Sequence, residues 1–243
     1  MIKEMTFQFK SFGVKQEKSA MKIGTDSVLL GCLCDIGNAQ SILDIGTGTG
    51  LLALMMAQKS TANIDAIELD EVAFVEAKEN FETSSWFDRI NIKHGDVRLN
   101  KFDYQFDIII SNPPYYQLGK SYSIEDEQRL QARHDKDLPF SDLCNVVFSL
   151  LKTEGVFWLI LPKEESMLFD EEATKMGLYL QESIDVKPKA TKKVNRVIMK
   201  WGKLNTQIIT KEFIIYNEDG SATVDYIHLT KDFYLWKQLD TSL

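Results

Sequence analysis

Apolar positions along this chain fall into two alternating kinds of run. Ser41 to Ile45, Ile64 to Ile67, Ile90 to His94, Phe106 to Ile110 and Val156 to Leu161 are short and rich in Ile and Val, as buried strands are. Between them lie longer stretches at helical spacing: Gly50 to Gln58, Glu71 to Phe81 or Ser84 with Val72, Ala73 and Val75 facing inward, and Phe140 to Leu151 with Leu143, Val146, Val147 and Leu150. Strand and helix in regular alternation predict an α/β fold around a largely parallel sheet.

The flanks are less regular. Residues 5–12 alternate enough for a short strand or extended arm, and a helix over Val28 to Leu33 can be capped by Thr25 or Asp26. Beyond the fifth strand, Met167 to Met176 reads as a helix, and a hairpin begins at Leu178-Tyr179-Leu180. It turns through a loop at Lys187 to Lys193 and returns over Val194 to Trp201. Further strands are expected near Gln207 to Tyr216 and Val224 to His228, and Phe233 to Trp236 is read as packing against the body.

Chemistry concentrates where strands stop. Asp44-Ile45 runs into Gly46-Thr47-Gly48-Thr49-Gly50, a turn whose missing Cβ atoms permit positive φ and close approach of a ligand to the backbone. It lacks the Gly-Lys-Ser/Thr of a phosphate cradle, and the acid at Asp44 suits a cation better than an anion. The next two strands also end in acids, Glu68 and Asp96, so the carboxyl edge of a parallel sheet would line one crevice with three carboxylates. Glu68 follows Gly50 at about the spacing that places an acid on a ribose diol. Asp96 suits a donor amine on the ligand's base, and Asp44 the vicinity of an ammonium group.

The strand Phe106 to Ile110 is followed by Ser111-Asn112-Pro113-Pro114-Tyr115-Tyr116. Two prolines impose a rigid loop at the carboxyl edge and withhold N–H donors. Asn112 and the loop carbonyls therefore form an acceptor-rich pocket that fits a planar exocyclic NH₂, with Tyr115 stacked on its ring. Beyond it, Gln117 to Asp137 reads as a lid or substrate loop in which Arg129 and Arg133, four residues apart, can touch phosphate; pairing with nearby acids accounts for them equally.

Composition narrows the class. The chain has 243 residues, 44% hydrophobic and 26% charged, which suits one soluble α/β domain. Three cysteines lack the paired spacing of a zinc site, so no metal is expected. The first 25 residues hold lysines but no apolar leader core, and no later run resembles a membrane span; cytoplasmic localisation, with no membrane partner, is the expectation. A formal charge of -8 argues against a surface uniformly built for nucleic acid. Between Asp185 and Glu212, however, there is no acid, and eight bases lie there, among them Lys189, Lys192, Lys193 and Arg196. Such a patch can dock a polyanion, or it can be a solvated basic loop.

Asp44 to Gly50, Glu68 and the Asn112-Pro113-Pro114-Tyr115 loop resemble the class I methyltransferases that use S-adenosylmethionine, in the branch that methylates exocyclic or amide nitrogen. Within it, Ala20-Met21-Lys22-Ile23-Gly24-Thr25-Asp26, Leu29-Leu30-Gly31 and Asn112 to Gln117 resemble the bacterial family that methylates N6 of adenine 37 in valine tRNA. The resemblance covers residues 20–162 and implies a Rossmann-like class I methyltransferase fold, with a seven-stranded, mostly parallel sheet and a C-terminal antiparallel hairpin. It implies a single domain over residues 1–243 whose first 35 residues close over the cofactor, without an obligate protein partner.

The resemblance also distributes roles. The cofactor would be held by Gly46, Thr47, Gly48 and Gly50, with its ribose on Glu68, its adenine near Asp96 and Val97, and its methionine portion near Asp44, Asn112, Lys22 and Thr25. Catalysis would fall to Asn112, Pro113 and Tyr115. Tyr115 and Tyr116 would contact the target base, while Arg129 and Arg133 by their spacing and Lys189, Lys192, Lys193 and Arg196 by the charge of their run are the candidates for contacts to the rest of the tRNA. A release-factor glutamine methyltransferase shares the Asn-Pro-Pro-Tyr loop but normally carries a helical N-terminal domain, and this chain reaches its glycines by residue 46. A non-catalytic RNA-binding protein that kept the cofactor fold is the other alternative.

Overall fold

The computed structural model describes residues 6–19, 22–114 and 138–236. Its elements, in chain order, are β1 (Thr6–Gln8), β2 (Gly13–Lys15), α1 (Thr25–Leu33), β3 (Ser41–Ile45), α2 (Leu51–Lys59), β4 (Asn63–Glu68), α3 (Glu71–Glu82), β5 (Ile90–His94) and β6 (Phe106–Ser111). They continue as α4 (Phe140–Leu150), β7 (Leu151–Pro162), α5 (Lys163–Lys175), β8 (Tyr179–Lys189), β9 (Arg196–Gly202), β10 (Ile209–Tyr216) and α6 (Val224–Thr230).

The main sheet runs β10-β8-β9-β7-β6-β3-β4-β5. β4, β3, β6 and β7 are joined by parallel ladders, with β5 parallel to β4, while β9 runs antiparallel to both β7 and β8. The order reverses between β3 and β6, so connections leave that point in opposite directions and open a crevice at the strands' carboxyl ends. β6 shows why the centre is stable: Ile108 and Ile110 enter the core on one face and Ile109 the core on the other. Each such fully buried side chain contributes roughly 1.5–3 kcal/mol.

Several boundaries differ from the sequence reading. The sheet has eight strands rather than seven, because β10 adds outside β8 and runs parallel to it. Residues 224–230 are a helix, with the Thr223 side chain accepting from the Tyr226 N–H, not a strand. β8 extends through Lys189, which leaves only residues 190–195 to turn the hairpin. On α3, Val72 and Val75 face solvent, whereas Ala73, Glu76, Ala77, Asn80 and Phe81 face inward.

The reason for that polar inner face is the N-terminal arm. Backbone N–H groups of Glu17, Lys18 and Ser19 all donate to the Glu76 carboxylate, and the Asn80 amide both accepts from Lys15 N and donates to Lys15 O. Glu76 is buried, yet these donors hold its carboxyl below the usual range. The C-terminal tail packs on the same arm, with Tyr234 stacked on Phe9 at 5.9 Å and Lys10 N donating to Phe233 O. Cys34 and Cys144 are buried and Cys32 partly so; burial pushes all three thiols up to about 12. No helix among the described residues is long and apolar enough to cross a membrane.

Candidate active site

The Gly-rich turn leaves β3 at the sheet's switch point. Gly46 and Gly48 adopt φ of +69° and +56°, and a Cβ added at either would meet nothing within 4 Å. Both are open to the crevice. Gly50, at φ +85°, differs: a Cβ there would lie 2.5 Å from the Phe81 ring, so this glycine serves packing of α3 rather than ligand approach. Asn80 Nδ2 donates to Thr49 O, which ties the turn to the helix that also holds the N-terminal arm.

Asp44 lies wholly buried behind the turn instead of lining the crevice, a correction to the expected ring of three acids. Its Oδ2 accepts from Thr47 Oγ1 at 2.5 Å and Ala53 N at 3.1 Å, while Oδ1 has no hydrogen-bond partner among the described residues. Burial outweighs those two donors, and with Glu68 nearby it pushes the Asp44 carboxyl up to about 7.

The crevice has two lobes that share Gly46. The first, about 210 Å³, is walled by Ile45, Ile67, Val97, Pro113, Pro114 and Leu138, with Glu68 and Asp96 at its polar positions. Glu68 Oε2 accepts from Gly48 N at 2.8 Å and Oε1 from Asp70 N at 2.9 Å, which leaves a lone pair on each oxygen for a diol. Asp96 is not similarly free. Arg98 donates to its two oxygens through Nε, Nη2 and the backbone N–H, and also reaches Asp142 on α4 at 3.0 Å. The fork holds Asp96 below the usual carboxylate range; three N–H groups use most of its roughly four lone-pair sites, so Asp96 stands in the wall of this lobe as an ion pair with little acceptor capacity left for a base amine.

The second lobe, also about 210 Å³, is lined by Lys22, Ile23, Gly24, Asp26, Ser27, Thr47, Gly48, Thr49 and Asn112. Asn112 follows β6, whose Ser111 Oγ donates to Ile45 O at 2.8 Å and so fastens the two strand ends together. Its Nδ2 donates to Ser27 Oγ at 2.8 Å. Its Oδ1 is buried and has no hydrogen-bond partner among the described residues. An orphaned buried carbonyl costs roughly 1–3 kcal/mol, a cost removed when a ligand donates to it.

A family model described as Methyltransferase small domain matches residues 18–135. The chain is 41% identical over 233 residues to a tRNA1(Val) (adenine(37)-N6)-methyltransferase of Bacteroides thetaiotaomicron, covering 94% of this chain and 97% of that one. It is 40% identical to the protein of that name from Flavobacterium johnsoniae, over 94% and 99% of the two chains. The chain belongs to this family. Among solved structures, a predicted O-methyltransferase from Agrobacterium tumefaciens has a TM-score of 0.64 at 18% identity, covering 86% of this chain and 96% of that one. A methyltransferase from Pyrococcus furiosus has 0.56 at 24%, over 78% and 89%. At such identities these two show the fold alone.

As a member of the tRNA1(Val) (adenine(37)-N6)-methyltransferase family, the chain places most of the anticipated cofactor residues together, with exceptions. Thr25 does not line either lobe, and neither it nor Asp26 caps α1, which begins behind Gly24 without a side-chain cap. Lys22 is at the second lobe, but its Nζ donates to the carbonyls of Gln16 and Glu17. Ser27 in the second lobe and Arg98 and Leu138 in the first were not singled out in the sequence, and Asp26 was read there as a helix cap and part of the family block rather than as a lining residue. The only signal for Ser27 was its place directly after Thr25-Asp26. Tyr115, Tyr116, Arg129 and Arg133 lie outside the described residues.

The basic run is corrected too. Arg196 pairs with Asp26 at 2.7 Å, Lys187 with Glu212 and Lys211 with Glu182 at 2.6 Å each, and Lys189 donates to Glu218 O. Three of the eight bases are thus paired with acids, two flanking the run and one, Asp26, far from it in sequence. Lys192 and Lys193 remain exposed on the 190–195 turn.

Proposed function

We propose that this chain transfers the methyl group of S-adenosylmethionine to N6 of adenine 37 in valine tRNA, in the cytoplasm, working as a single domain over residues 1–243 with the N-terminal 35 residues closing the cofactor site. The observation that carries this reading is the buried Asn112 Oδ1 at the sheet's switch point, which has no hydrogen-bond partner among the described residues. An acceptor so placed calls for an N–H donor.

The residues present fit the cofactor. Gly46 and Gly48 offer open backbone, Glu68 retains lone pairs for a ribose diol, and the apolar wall of Ile45, Ile67, Val97 and Leu138 suits a purine face. Asp44, buried behind the turn with its carboxyl pushed up to about 7, turns negative once a cation beside it favours the ionised form, and that charge would face the methionine portion of the cofactor. When bound, the cofactor supplies an electrophilic methyl group on a sulfonium.

The chain's own residues must then raise the reactivity of a poor nucleophile. The N6 lone pair of adenine is delocalised into the ring. Asn112 Oδ1 and the Pro113 carbonyl would accept hydrogen bonds from the two N6–H groups and draw the nitrogen toward tetrahedral geometry; N6 gains the methyl group as the C–S bond of the sulfonium breaks and leaves a neutral thioether, and N6 then loses one proton to solvent. Those hydrogen bonds strengthen as positive charge builds on N6, so the interaction favours the transition state over the ground state. No base needs to remove a proton first. Tyr115 stacks on the target ring and Tyr116 helps fix it, once adenine 37 has left its stack in the anticodon loop. Lys192 and Lys193, aided by Arg129 and Arg133, contact phosphates and set the docking of the tRNA.

Tritiated methyl transfer from S-adenosylmethionine to total tRNA, total DNA and total protein of one lysate tests the substrate class. Incorporation is expected in tRNA. Incorporation in protein alone would instead assign the chain to glutamine methylation, and cofactor binding without transfer to any pool would make it a binding protein.

A further inference from the structure

An amide can present its oxygen to a substrate only if something holds its nitrogen elsewhere. Asn112 Nδ2 lies 2.8 Å from Ser27 Oγ, the only hydrogen-bond partner of the Asn112 side chain among the described residues, while Oδ1 is left bare. Ser27 itself sits on a well-anchored element. Its neighbours Val28, Leu29 and Leu30 are completely buried, and Gly31 lets α1 sit so close to α2 that an added Cβ would come within 2.5 Å of Met55 Sδ. On the other side, the ion pair of Asp26 with Arg196 fastens the first turn of α1 to β9. The Ser27 hydroxyl therefore approaches Asn112 from a helix fixed at two points, 85 residues away in sequence.

We propose that Ser27 is a positioning residue for methyl transfer: by accepting from Asn112 Nδ2 it fixes rotation of the amide and turns Oδ1 toward the incoming amino group. This rests on the reading of Asn112 as the acceptor for the target nitrogen. Without the hydroxyl, the Asn112 amide loses the contact that holds its rotation, and either end is free to face the substrate, where the N–H end would repel a donor. A positioning role of this kind acts on the chemical step and leaves cofactor binding nearly untouched.

The test compares Ser27→Ala, Ser27→Thr and Asn112→Ala with the unaltered full-length protein, measuring single-turnover methylation of unmodified valine tRNA, calorimetric Kd for S-adenosylmethionine and Tm. For Ser27→Ala the rate is expected to fall on the order of tenfold while Kd stays within about threefold. Ser27→Thr, which keeps the hydroxyl, is expected to hold the rate within about threefold of the original. An unchanged rate in Ser27→Ala overturns the proposal, as does a parallel loss of rate, Kd and Tm in both serine variants, which would mark Ser27 as purely structural. Asn112→Ala separates the two levels: if it retains full rate, the acceptor reading itself fails, whereas if it is inactive and Ser27→Ala is not, only the role of Ser27 falls.

Discussion

The two lobes of the crevice share Gly46 and have similar volumes, yet they are finished to different degrees. In the first lobe the ionic groups are largely satisfied by the protein: Arg98 pairs with both oxygens of Asp96 and reaches on to Asp142, and both Glu68 oxygens accept backbone N–H bonds. The second lobe is short of partners. Asn112 lines it, and the Oδ1 atoms of Asn112 and of Asp44 behind it are buried without a hydrogen-bond partner among the described residues. A preformed apolar slot can hold a ligand by shape, whereas a lobe with missing hydrogen bonds gains most when charge and N–H donors arrive. The contrast assigns binding mainly to the first lobe and chemistry to the second.

The sharpest way to break this contrast is Asn112→Ala. It removes the acceptor aimed at the target nitrogen, and loss of one such preorganised group costs on the order of a hundredfold or more in kcat. Cofactor Kd should move far less. A variant losing affinity and rate equally would mean that the second lobe binds rather than activates.

Next in size is the pH response of Asp44. Its carboxyl, pushed up to about 7 from the usual 3.8, is protonated in the folded apo protein over a range where the unfolded chain is ionised. Stability from this group is therefore highest at low pH and declines as pH rises from about 4 to about 7. Binding of a cation nearby favours the ionised form, so cofactor affinity should rise up to about tenfold between pH 6 and pH 8. Calorimetry across that range checks it, and Asp44→Asn should flatten the slope.

The smallest effect expected is that of Arg98→Ala. It unties Asp96 from Asp142 in the finished lobe. Both partners are partly exposed, so Tm should fall by only about 2–4 °C, as thermal unfolding would show. kcat measured alongside should be nearly unchanged, because the loss lies away from the reacting nitrogen. A large kcat defect would blur the distinction between the lobes.

Local pattern made the crevice legible and left its partners hidden. β3 and β5 have the boundaries that their apolar runs suggested, and the glycines, Glu68 and Asn112 come together because a parallel sheet must bring strand ends to one edge. What escaped were contacts set by tertiary structure. Val72 and Val75 face solvent because α3 turns Glu76 and Asn80 toward backbone donors of an arm some 60 residues earlier, a demand that periodicity does not reveal. The basic run looked open because Glu212, Glu182 and Asp26, which pair with three of its bases, lie outside it in sequence. Ser27 read as part of a helix start, and its meaning appeared only once α1 was placed beside Asn112. Residues 224–230 alternate enough to suggest a strand but form a helix under the Thr223 cap.

The most direct test of the central claim is to map the methylated nucleoside. Unmodified valine tRNA incubated with the protein and S-adenosylmethionine, then digested and analysed by mass spectrometry, should contain N6-methyladenosine at position 37 and at no other adenine, and should lack it when Asn112→Ala is used. Methylation of a ring nitrogen, of another nucleotide, or at an undiminished level with that variant would contradict the account.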